Sequence, residues 1–145
     1  MIALVQRVTQ ASVSVDGRVI GSTGPGMLVL CCVQPGDTPE TIAKAAAKTA
    51  RLRIFADEAG RMNRSLLDTG GSALVVSQFT LSADTRHGNR PSFSGAASPE
   101  AGLKGYQDYV AELRALGVPV ETGEFGADMQ VALVNDGPAT FWLEV

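Results

Sequence analysis

The chain has 145 residues, a net charge of −3, 45% hydrophobic and 19% charged residues. These totals fit one domain, residues 1–145, able to bury a core without disulfides or metals, and they exclude a disordered chain. No apolar run approaches the ~18 residues of a membrane-spanning helix, and Met1–Arg7 lacks the pattern of a signal peptide, so a cytoplasmic protein without membrane contact is expected.

Met1–Thr9 alternates loosely and reads as a strand. Val13, Val15, Val19 and Ile20 flank Asp16-Gly17, a two-residue hairpin signal. Gly24-Pro25-Gly26 predicts a turn, Met27–Val33 a central strand, and Pro35-Gly36 its end. A helix follows, capped by Asp37 or Thr38, with Pro39 in its first turn and Glu40 at the positive end of its dipole. Its apolar stripe is Ile42, Ala45, Ala46, Thr49 and Leu52. Ile54-Phe55 reads as a short strand, Asp57–Gly60 as a turn, and Asn63–Asp68 is not assigned.

Ala73–Leu81 begins as a buried strand at Leu74-Val75-Val76 and then changes character. Ser77, Gln78 and Thr80 sit beside Phe79 and Leu81, and polar groups at the end of a buried strand need partners or a cavity. The chain is read as a scaffold that holds this strand end against a second polar stretch, Asn135–Thr140. Ser82–Ala97, rich in Gly, Ser, Asn and Arg, is a long loop of the functional or mobile kind. Ser98-Pro99-Glu100 starts a second helix with Leu103, Tyr106, Val110, Leu113 and Leu116 on its apolar face, ending at Gly117. Val118–Glu121, Met129–Val134 and Phe141–Val145 read as strands. The predicted class is α+β: mostly antiparallel sheet with two main helices.

The chemistry-bearing residues are few. Cys31 and Cys32 are adjacent on a strand, point to opposite faces and read as small buried hydrophobes. With a single histidine, His87, in a glycine-rich loop, neither a zinc site nor a Ser-His-Asp triad is expected. No phosphate-binding loop, dinucleotide fingerprint or Cys-x-x-Cys motif is present, and no metal or cofactor is expected. Two routes remain: a nucleophilic hydroxyl, or preorganised backbone groups acting on a reactive bond. Thr80 and Ser77 are the hydroxyl candidates, but Thr80 has no activating base in sight and reads equally as a strand hydroxyl bonded to backbone. Gln78 is either a ligand contact or a locally satisfied amide. Gly137-Pro138 reads on its own residues as a plain turn between two strands. Arg7 covers a core edge or binds a carbonyl.

Charge is unevenly placed. Residues 44–90 hold eight Lys/Arg against four acids, whereas residues 91–145 hold two against eight. A local basic face attracts phosphate even on an acidic chain, although a solvated helix with loops explains the charge equally well.

With both polar stretches in hand, the chain resembles the D-aminoacyl-tRNA deacylase (D-tyrosyl-tRNA(Tyr) deacylase) family over essentially its whole length. The resemblance rests on Ser77-Gln78-Phe79-Thr80-Leu81, Asn135-Asp136-Gly137-Pro138-Ala139-Thr140, the opening Ala3–Ser14, and Gly88-Asn89-Arg90-Pro91-Ser92-Phe93. Ala139 departs from the valine more usual in the bacterial family, a change expected to adjust packing only.

The resemblance implies a barrel-like core and hydrolysis of the ester joining a D-amino acid, or glycine, to the 3′-terminal adenosine of tRNA. It implies a homodimer in which a cis Gly137-Pro138 enters the partner's site and rejects L-aminoacyl groups. Ser77, Gln78, Phe79 and Thr80 would line the pocket, Arg7 would hold the gate, and Asn135 and Ala139 would flank it. The competing readings are a non-catalytic tRNA-binding module and a small-molecule hydrolase using Thr80.

Overall fold

The computed structural model describes all 145 residues. The first strand, β1 (Ile2–Val15), fuses the two predicted N-terminal segments, and Asp16-Gly17 turns the chain into β2 (Arg18–Thr23). Both turn residues have positive φ, 51° at Asp16 and 77° at Gly17, as a twist-matched two-residue hairpin requires. β3 (Gly26–Cys32) follows, then helix α1 (Pro39–Arg51), capped by the Thr38 hydroxyl, which accepts from the Thr41 N–H. The segment that the sequence left unassigned contains the second strand of a small hairpin, β4 (Phe55–Ala56) and β5 (Met62–Arg64), and a short helix, α2 (Leu66–Thr69), with a Ser65–Asp68 capping box. Next come β6 (Ser72–Ser77), α3 (Pro99–Ala115), β7 (Val120–Thr122) and β8 (Gln130–Glu144).

The main sheet has the order β2-β1-β3-β6-β7, with β8 on the other edge of β1. The α+β class and the barrel-like core hold, with one refinement: β6 pairs parallel to both β3 and β7, so the sheet is mixed. The sheet curls until β2 and β7 nearly meet. Ser22 N–H donates to the Glu121 carboxylate at 3.0 Å, and a Cβ on Gly21 would lie 2.5 Å from the Thr122 carbonyl oxygen, so glycine is what lets the two edges approach.

Why β3 and β6 are apolar without alternation is now plain, because both faces of the sheet are covered. One face carries Val5, Met27, Val29, Cys31 and Val75 against α1 and α3; the other turns Val8, Val13, Leu28, Leu74 and Val76 into the barrel. In α1 the buried face is as predicted except at its end, where Ala50 is buried and Leu52 is only half-buried. In α3 Tyr109 takes a fully buried place, donating to or accepting from the Thr49 hydroxyl at 2.6 Å, while Leu103 is exposed.

The two predicted C-terminal strands are one. Both halves of β8 run antiparallel to β1, and the pairing slips beside Arg7, between Gln6↔Thr140 and Val8↔Asn135. Asn135–Thr140 is therefore a bulged interruption of a strand, not the turn its Gly-Pro suggested: the chain does not reverse there.

Candidate functional site

The end of β6 gives a first group of polar residues. Gln78 N–H still bonds the Cys31 carbonyl at 2.8 Å, the last rung towards β3. The chain then coils into one 3-10 turn, Phe79–Ser82. Leu81 N–H is the first to close a bond of that turn, onto the Gln78 carbonyl. The N–H groups of Phe79 and Thr80 precede it, and the leading donors of a helical turn have no partner inside it. Ser82 Oγ donates back to the Phe79 carbonyl at 2.7 Å, and Gln78 Nε2 donates to Thr80 Oγ1 at 2.5 Å. The amide is the hydroxyl's side-chain partner, and an amide is no base for activating it.

Above this turn lies a cavity of about 540 Å³. Ser77, Gln78 and Phe79 line it, together with residues that sequence reasoning did not single out as site residues: Cys32, Tyr106, Phe125 and Met129. A phenylalanine in the glycine-flanked segment Gly123–Gly126 was the available signal for that wall. Phe79 is 61% exposed and packs its ring against Phe93, centroids 5.1 Å apart, so the long loop returns to the cavity rim. That loop is anchored, with Asp84 and Ser92 exchanging two backbone hydrogen bonds and Arg86 holding the Asp84 carboxyl well below the usual range. His87 is exposed in this loop. Burial pushes the Cys31 and Cys32 thiols up, leaving neutral thiols, and pushes Tyr106, whose hydroxyl donates to the Val75 carbonyl, up to about 12. No group of three or more His, Cys, Asp or Glu is placed to hold a metal.

The second group is the β8 interruption. Arg7 reaches across it, donating from Nε to the Asp136 carbonyl at 3.1 Å and from a terminal nitrogen to the Ile54 carbonyl at 2.7 Å. Asn135 spans the bulge, its Oδ1 accepting from Ala139 N–H and its Nδ2 donating to Thr140 Oγ1. Ala139 is buried, whereas Gly137 and Pro138 are exposed. The Gly137–Pro138 bond is cis, and Gly137 has φ +125°. A Cβ there would lie 2.6 Å from the Arg7 guanidinium.

The structure does not bring the two groups together within one chain. Arg7, beside the interruption, is level with Met27 and Ala73, and Ser77 lies four residues farther along β6; the start of β8 reaches the cavity at Val131, but none of Asn135–Thr140 lines it. Those four residues are roughly 13 Å along the strand. The single-chain scaffold expected from sequence is corrected accordingly: one chain carries a concave group and a projecting group that face different surroundings.

Comparison with known proteins gives these features a family. The model of the family described as D-Tyr-tRNA(Tyr) deacylase matches residues 4–144. Proteins called D-aminoacyl-tRNA deacylase from Ruegeria pomeroyi and Dinoroseobacter shibae are 63% and 65% identical, over 100% and 99% of both chains. Among solved structures, one titled c-Myc DNA Unwinding Element Binding Protein is 40% identical with a TM-score of 0.95, covering 100% of this chain and 99% of its own. A probable eukaryotic D-amino acid tRNA deacylase shares the fold at 15% identity with a TM-score of 0.86, covering 99% of this chain and 98% of its own. The chain belongs to the D-Tyr-tRNA(Tyr) deacylase family.

Proposed function

We propose that this protein hydrolyses the ester bond of D-aminoacyl-tRNA, releasing the free amino acid and tRNA and so removing wrong-handed residues before translation uses them. The observation that carries this reading is the cavity at the end of β6, lined by Ser77, Gln78 and Phe79, beside a turn whose Phe79 and Thr80 N–H groups make no backbone bond and whose Thr80 hydroxyl has no base as partner. An aminoacyl ester is already activated. It asks for orientation, two donors aimed at the developing oxyanion, and a water molecule, not for a strong side-chain nucleophile. The water oxygen adds to the carbonyl carbon, the ester C–O bond breaks, and the water's proton ends on the departing ribose oxygen. A hydroxyl of the substrate's own terminal ribose positions that water.

Handedness is judged by Gly137 and Pro138 of a second copy of the chain. Three features support this. The dipeptide is exposed, it stands apart from its own chain's cavity, and Arg7 and Asn135 fix its backbone. β8 also presents an open edge with exposed Val131, Val134 and Trp142, a surface suited to pairing with another chain. With the α-amino group held by the motif's carbonyls and the ester held at the other end, a D side chain points to open space and an L side chain meets backbone. Glycine, lacking a side chain, escapes rejection, so glycyl-tRNA is cleaved too.

The test is hydrolysis of matched D-, L- and glycyl-tRNA under one set of conditions. Cleavage of D and glycyl esters with L spared is expected. Equal turnover of D and L forms refutes the handedness reading, and tRNA binding with no cleavage above the spontaneous rate leaves a binding module instead.

A further inference from the structure

The sequence's basic region has a definite place in the fold. Lys44, Lys48 and Arg51 follow one another at helical spacing on α1 and are exposed. Arg53, between α1 and the β4–β5 hairpin, and Arg61 and Arg64, at the hairpin's second strand, are exposed as well. The C-terminal dipole of α1 accounts for Lys48 and Arg51, but not for three arginines outside the helix.

The acids nearby, Asp57, Glu58 and Asp68, offset only part of this charge, with Asp68 acting on Arg53 and Arg64. Asp57 accepts from the Ala59 and Arg61 N–H groups and from the Asn63 amide, bonds that hold its carboxyl below the usual range. Asp68 is taken up by the capping box with Ser65. Two of the arginines are held in place: Arg53 Nε donates to the Asn63 carbonyl at 3.0 Å and Arg64 to the Asp68 carbonyl at 2.8 Å. Between residues 44 and 68 there are six bases against three acids, in a chain of net charge −3. A charge segregated in this way, with its cations preorganised, fits a polyanion.

Its position suits one kind of polyanion. The cavity at the end of β6 shares Val33 and Ala96–Ser98 with a neighbouring groove of about 420 Å³, which Thr38, Pro39 and Ile42 at the start of α1 also line. From there α1 leads away for ~20 Å, at 1.5 Å per residue, to the hairpin. We infer that Lys44, Lys48, Arg51, Arg53, Arg61 and Arg64 form a phosphate-binding face for the double-stranded stem of the tRNA whose 3′ end occupies a cavity. This rests on the function proposed above. The face reads backbone charge and not sequence, so it serves any tRNA that carries the wrong amino acid.

The test uses Lys48, Arg51 and Arg61, whose side chains make no hydrogen bond in the structure. A triple variant, Lys48→Gln/Arg51→Gln/Arg61→Gln, is compared with the parent on a D-aminoacyl-tRNA and on the same D-amino acid esterified to adenosine alone. The KM for the tRNA is expected to rise about tenfold or more and the slope of log KM against log salt to fall by about two to three. kcat, and hydrolysis of the adenosine ester, stay unchanged. Arg51→Lys/Arg61→Lys, which keeps the charge, is expected to stay near the parent.

An unchanged tRNA KM and salt slope overturns the inference while the function stands; so does binding of the parent to phosphatidylserine vesicles with the tRNA KM unmoved. Should the parent cleave neither ester, the proposed function falls and filter retention of uncharged tRNA decides this point: weaker retention by the triple variant supports the face, equal retention overturns it.

Discussion

The end of β6 and the interruption of β8 both give up regular strand pairing to polar residues, and they do it in opposite senses. At β6 the chain coils into a 3-10 turn, leaves two backbone donors ahead of its first closed bond, and lines a cavity. At β8 the chain bulges outward, and side chains satisfy the lost rungs: Asn135 spans the bulge and Arg7 grips it from β1. The first arrangement offers backbone donors; the second offers a fixed shape. A site that must both cleave a bond and refuse a mirror image needs one of each, since donors favour both hands alike and a rigid wall does not.

The largest effect should come from spoiling the shape. Gly137→Ala places a Cβ 2.6 Å from the Arg7 guanidinium at a φ of +125°, which L side chains rarely adopt. kcat/KM for D-aminoacyl-tRNA should fall about 100-fold, the cost of misplacing a wall by roughly 1 Å, with an unchanged circular dichroism spectrum showing that the fold survives. Next, Arg7→Leu removes the hydrogen bonds to the Asp136 and Ile54 carbonyls. Bonds from a charged donor contribute about 1.5–3 kcal/mol, so the ratio of D to L turnover should drop by tenfold or more, read from paired deacylation rates.

Altering the concave group tests the other half of the comparison. Thr80→Val deletes a hydroxyl whose side-chain partner is an amide. Activity should stay within about tenfold of the parent, whereas losing a true nucleophile costs on the order of 10⁶; a loss of that size would make Thr80 the reacting group.

The smallest effect is on stability. Tyr106, on the cavity wall, is pushed up to about 12 by burial, so its neutral form is favoured in the fold. That contribution is complete below the ordinary tyrosine range near pH ~10 and is lost as pH rises through ~12. Denaturation midpoints should be insensitive to this group between pH 7 and 9 and fall above pH ~10, with Tyr106→Phe flattening the fall.

Much of the fold was legible because it follows local rules. Asp16-Gly17 announces its hairpin, Thr38 and Ser98 cap the helices they precede, and the unbroken run Met27–Cys32 is a strand covered on both faces. The misreadings share a cause. Leu103 and Tyr109 both flank the helical stripe, and which one is covered depends on how α3 packs on α1, where Tyr109 meets the Thr49 hydroxyl. Asn135–Thr140 looks like a turn because Gly and Pro break regular pairing, and the sequence cannot show that a side chain 129 positions away grips the Asp136 carbonyl and lets the strand resume.

The residue chemistry of the site belongs to the sequence: a strand that turns polar at Ser77, a Gly-Pro near the C-terminus, one arginine on the first strand, and an unequal spread of charge. Tertiary structure alone decided which of these meet. Strand register sets position across a sheet, and register is a collective result of packing both faces. It put the Phe79 turn at a cavity, kept Gly137-Pro138 exposed and off that cavity's lining, and left the basic residues of helix and hairpin exposed.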